Sequence, residues 1–160
     1  MSKRYFLFLF ALCIFSFNAV SQNKEAVEVY DFDSEPEILK TRSSALDKTH
    51  PNLLNPQIAK EEHETVTKSW TKLHRDIAQF LEANDFEWET EESQIMILHK
   101  FYFEPNGEIH TYAFKMMNEE INESQRRAYS DLMTKFAETY RIDIIKDGQF
   151  AQCGKTKYLN

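Results

Sequence analysis

The chain is poor in the residues that punctuate or staple a fold. Of 160 residues only 3 are glycine, 4 proline and 2 cysteine. So little glycine leaves no phosphate-cradling loop and no nucleophile elbow, and no zinc-protease helix motif is present. Cys13 falls in an N-terminal targeting segment, so Cys153 is the only cysteine of the exported chain and a disulfide framework is excluded. Positive charge is also short. Lys and Arg number 19 against 26 acids, for a net charge of −7. Phosphate repels such a chain, which excludes nucleic acid and anionic lipid surfaces as expected partners.

What is present begins with a secretory pattern. Lys3 and Arg4 precede a 13-residue apolar run, Tyr5–Phe17, and Ala19 and Ser21 put small residues at −3 and −1 of a cut before Gln22. The run is shorter than the roughly 20 apolar residues of a membrane span. Leu12 before Cys13 replaces the small residue that lipid attachment needs. The expectation is cleavage, export to the periplasm or medium, and no stable membrane span thereafter. The mature chain, without Lys3 and Arg4, has 17 cationic side chains against 26 acids, a net charge of −9.

Three segments follow: a signal peptide over 1–21, an extended or partly disordered lead-in over 22–60, and one domain over 61–160. The lead-in is polar, carries Pro36, Pro51 and Pro56, and shows alternation only in Val27–Phe32, a candidate edge strand. From Glu61, the spacing of Val66, Trp70, Leu73, Ile77 and Phe80/Leu81 predicts an amphipathic helix ending near Asn84. Ile95–Phe103 and Glu108–Met117 read as strands joined by Glu104-Pro105-Asn106-Gly107, a type I turn closed by glycine. Asn122 with Gln125 caps a second helix. A last strand, Phe150–Leu159, follows the turn Lys146-Asp147-Gly148. The class is α+β, with two helices on a small antiparallel sheet in the order helix, strand, strand, helix, strand.

The block ILHKFYFEPNGEIHTYAFKM, the helix after it and the closing strand at the C-terminus resemble the C-terminal domain of TonB-type energy transducers over residues 61–160. That resemblance implies a fold in which a Pro-Asn-Gly turn joins two strands. An amphipathic helix follows, and the final strand pairs with a partner protein.

The five histidines are the obvious metal or acid–base candidates. With Glu104 opposite Glu108, a regular hairpin sets His99 against Ala113 and His110 against Tyr102. Side chains alternate along a strand, so His99 would share a face with Ile95, Ile97, Phe101, Phe103, Ile109 and Ala113. The other face would hold Met96, Leu98, Tyr102, His110, Tyr112 and Phe114. His63 and His74 lie three helical turns apart, about 16 Å. No metal site and no cofactor is expected. Trp88 either caps the core edge or faces a groove. Cys153 is the one candidate reactive thiol or intermolecular disulfide partner, with Lys155 and Lys157 on its face and Gly154 open to a close backbone approach or a bulge.

Both hairpin faces are rich in large apolar residues, whereas a lone sheet under two helices should keep one face wet. Either the lead-in covers the second face or a partner does. The sequence thus reads as an exported, non-catalytic protein-binding module, working through Met96, Leu98, Tyr102, His110, Tyr112, Phe114 and Trp88 or through the terminal strand. The alternatives are a small-ligand carrier or thiol-dependent enzyme built on Cys153, and a transducer-like domain that keeps its N-terminal segment as an anchor.

Overall fold

A computed structural model describes residues 26–160; the signal segment lies outside them. The described chain is α+β, with three helices and a four-stranded mixed sheet. The elements are β1 (Glu28–Asp31), α1 (Pro36–Leu46), α2 (His63–Ala83), β2 (Gln94–Phe103), β3 (Ile109–Met116), α3 (Glu123–Thr139) and β4 (Phe150–Leu159). Sheet order is β1-β3-β2-β4, and only the β1–β3 pair is parallel.

The long elements follow their sequence signals. The stripe of α2 buries Val66, Leu73, Ile77 and Leu81, and that of α3 buries Tyr129, Met133, Phe136 and Ala137. The Asn122 side chain accepts the Gln125 N–H at 3.0 Å, closing the N-terminus of α3. At the hairpin, the Gly107 N–H donates to the Glu104 carbonyl at 2.9 Å and the Glu104 N–H to the Glu108 carbonyl at 2.9 Å. Gly107 takes φ +83°, the left-handed conformation that closes the turn.

Two expectations fail, and both change the reading of the sheet. First, the lead-in is not extended throughout. It supplies β1, which lies beside β3, and α1, which lies on the second face of the sheet. Pro36 at the first turn of α1 fits there because its missing N–H has no helical partner. Leu39 is the residue α1 buries, and Asp47 just after it accepts from the Tyr102 hydroxyl at 2.9 Å and pairs with Lys100. Arg42 lies 5.5 Å over the Tyr30 ring and bonds Glu28. The result is three layers: α2 and α3, then the sheet, then α1 with residues 47–50, while Pro51–Leu53 run along the edge of β4.

Second, the hairpin is not regular. Phe103 pairs with Ile109, but Tyr102 pairs with Thr111, and His110 is the extra residue of a bulge. Beyond it His99 faces Phe114 rather than Ala113, and Phe101 faces Tyr112. One inserted residue exchanges the faces of everything that follows. Tyr112, Phe114 and Met116 therefore join Ile95, Ile97, His99, Phe101 and Phe103 in the core, while Ala113 and Thr111 turn to the second face under the lead-in, both buried.

Candidate functional site

Two groupings of polar or exposed residues emerge. The first is internal. On α2, His74 follows Trp70 and Leu73 along the apolar stripe, and it meets His99 of β2 with ring centres 4.4 Å apart. The Trp70 ring packs edge-on at 4.1 Å. His74 Nδ1 bonds the Tyr158 hydroxyl at 2.7 Å, and His99 Nδ1 bonds the Tyr112 hydroxyl at 2.8 Å. Tyr112 in turn meets Tyr129 of α3 at 2.8 Å, hydroxyl to hydroxyl. The two Nε2 atoms are buried without a partner.

Burial dominates the electrostatics of this chain of rings. It lowers the His74 pKa to about 3 and drives His99 well below its ordinary value, with His74 adding to the second shift. It also raises Tyr112, Tyr129 and Tyr158. All five side chains are neutral at neutral pH. This is a sealed, uncharged polar seam joining α2, the sheet and α3. Among the described residues no three His, Cys, Asp or Glu side chains converge as metal ligands. Spacing arguments within one helix and one hairpin compared His63 with His74 and His99 with His110, so they missed a pair formed between the helix and the sheet.

His99 and His110 do lie on opposite sides of the sheet. His110 sits with His50, whose ring is 6.2 Å away, and the His50 ring packs edge-on to Tyr102 at 5.3 Å. Tyr102 is buried beneath α1 and residues 47–50, of which His50 is itself buried, and Tyr112 and Phe114 are buried in the opposite layer. Of the six residues expected on one binding face, Tyr112 and Phe114 belong to the core, Tyr102 is covered, and His110 is half-buried beside His50. Met96 and Leu98 remain half-buried at the open end of the second face.

Trp88 caps the core edge. It is 6 % exposed and packs on Phe86, Tyr129 and Tyr158. It also forms part of the floor of a hollow of about 580 Å³ shared with Leu81, Phe86, Tyr158 and Leu159. Cys153 is half-buried on the second face, and burial raises its thiol pKa. The cation that acts on it is Lys100, its cross-strand neighbour, itself engaged by Asp47. That balance disfavours the thiolate. Gly154 admits neither a backbone nor a bulge. A Cβ there would meet the Trp70 ring at 3.1 Å, so the glycine makes room for a side chain of α2.

The second grouping is the outer edge of β4. Along its whole length β4 pairs with β2 on one side. On the other side, Pro51–Leu53 cover only its first third. The Ala151 N–H donates to the Pro51 carbonyl at 3.0 Å, the Leu53 N–H to the Ala151 carbonyl at 2.9 Å, and the Cys153 N–H to Asn52 Oδ1 at 3.1 Å. Alternation then turns the N–H and C=O groups of Lys155 and Lys157 outward as well, and among the described residues no backbone group pairs with them. Both lysines are exposed, and Leu159 is 83 % exposed.

No family model, curated protein or solved structure matches this chain. Among the described residues no helix is long and apolar enough to cross a membrane.

Proposed function

We propose that the protein is an exported, non-catalytic binding module whose partner, another protein, adds a strand to β4. The observation that carries this reading is the half-covered edge. The lead-in pairs with β4 as far as Cys153 and then leaves it, so the ladder positions of Lys155 and Lys157 stay available. Strand addition takes its affinity from such main-chain donors and acceptors and its specificity from the flanking side chains. The broad apolar face read from the sequence supports a contact surface less well than the edge does, because the bulge sends Tyr112 and Phe114 to the core and the lead-in covers Tyr102.

The edge can be tested without disturbing the core. Lys157 directs its N–H away from β2, so Lys157→Pro removes a donor that only an added strand would use. A photo-crosslinking residue at Leu159, in cells that export the chain, should yield a discrete adduct that Lys157→Pro abolishes. A probe at Ile145, 67 % exposed at the far end of the sheet, should not. Matching adduct patterns from the two positions, or an adduct indifferent to proline, would refute the proposal.

A transducer-like role is the second reading, favoured by the order α2, β2, β3, α3, β4 and by the place of β4 at the sheet edge. The two differ at the N-terminus. N-terminal sequencing of the exported form should begin at Gln22; retention of residues 1–21 would instead favour an anchored transducer.

A further inference from the structure

The open part of the β4 edge is chemically lopsided. Lys155 and Lys157 project from it on the second face, where they stand opposite Leu98 and Met96 of β2. These neighbours carry no charge, so neither lysine has a carboxylate across the ladder; no ion pair engages either side chain among the described residues, and Lys157 shares an open hollow with Glu92, Glu119 and Glu120. On the other face the same end of the strand borders the hollow between α2, residues 86–90 and Tyr158–Asn160. Its floor is Leu81, Phe86, Trp88 and Tyr158. Its rim carries Glu82, Glu87 and Glu89.

We infer that the segment β4 receives is an extended stretch of a partner protein with acidic residues at alternate positions opposite Lys155 and Lys157, and a lysine or arginine on its other face that enters the hollow beside Trp88. The inference rests on the proposed edge function and specifies the occupant of that edge. The period of two along a strand places Lys155 and Lys157 on one side of the ladder, so the complementary charges must also recur every second residue. The hollow lies on the opposite side and combines an apolar floor with an anionic rim. A side chain with a long methylene stem and a cationic head suits both parts, because the stem lies on the rings while the head reaches the carboxylates. A second copy of this chain is a poor occupant. Two-fold pairing of β4 with itself sets lysine against lysine, and like charges directly opposite are destabilising.

The experiment uses two synthetic peptides and the isotope-labelled exported chain. One peptide alternates aspartate with valine and ends in arginine; the other alternates lysine with valine and ends in glutamate. Amide shifts followed by NMR should map the first peptide to Lys155–Leu159 and show affinity about tenfold above the second, a preference that salt weakens. The double variant Lys155→Glu/Lys157→Glu, altered only at exposed positions, should invert the preference. Equal binding of both peptides, or binding of neither, overturns the inference, as does a preference that survives the charge reversal. So does a homodimer that Lys157→Pro dissolves. Loss of charge preference alongside an intact, proline-sensitive crosslink from Leu159 would remove this occupant and leave the edge itself standing.

Discussion

Gly107 is the residue on which the hairpin closes, and two independent constraints meet there. Its φ of +83° is costly for any L side chain, and a Cβ would lie 2.6 Å from the Ile142 carbonyl oxygen. The Gly107 carbonyl also accepts the Ile142 N–H at 3.0 Å, so the turn cannot simply draw back. Gly107→Ala should therefore cost about 3 kcal/mol or more in urea unfolding, above the roughly 1–3 kcal/mol typical of the backbone term alone. Gly148, where nothing lies within 4 Å of an added Cβ, serves as control, and Gly148→Ala should change little. Equal midpoints for the two variants would show that the close approach to Ile142 does not hold in solution. The glycine and its turn type were legible in Glu104–Gly107, because a three-residue connection is governed by local φ preferences.

At the scale of elements, the bulge at His110 decides which residues meet. A trace of it lies in the sequence. Ile109 is large and apolar at an odd position, yet Tyr112, Phe114 and Met116 continue the apolar series at even ones. Only a slip of one residue puts both sets on a single face. Turn geometry fixes the register at Phe103–Ile109 but cannot transmit it past an inserted residue. The lead-in was harder to read. The apolar stripe of α1 is weak and Leu39 is its one buried residue, so its helix depends on docking rather than on amphipathic pattern. Leu39→Ala should thus cost about 2–4 kcal/mol, as truncation of a buried leucine does. Hydrogen exchange should then quicken in α1 while the amides of α2 and α3 keep their protection. Uniform loss across all three helices would mean that the cover is part of one cooperative unit with the core. The α3 cap is the opposite case. Asn122 and Gln125 are three residues apart, and Asn122→Ala should cost about 1 kcal/mol.

For the molecule as a whole, the buried imidazoles tie stability to pH. The unfolded chain binds a proton at His74 below pH 6.5, whereas the folded chain resists doing so until about pH 3. Protons therefore favour the unfolded state in that window. Stability is complete above pH 6.5 and falls with acid by about 1.4 kcal/mol per unit for His74 alone. His99, shifted in the same direction, adds to the loss. The groups facing the pair are Trp70, Phe101, Tyr112 and Tyr158, none of them a carboxylate that would hold the proton. Urea unfolding at pH 7 and pH 4.5 should show the decline, and His74→Leu should flatten it. An equal slope in the variant would place the acid sensitivity elsewhere.

Sequence by itself determined the short-range features: the α+β class, the Gly107 turn, the Asn122 cap, the span of β4 and the stripe of α2. Each follows from backbone preferences or side-chain periods that act within a few residues. Tertiary structure alone decided that His74 meets His99, that α1 covers the second face, and that Pro51–Leu53 occupy the edge of β4 only as far as Cys153. Those contacts join residues far apart in the chain, and which of them form depends on how whole layers stack once one bulge has set the faces of the sheet.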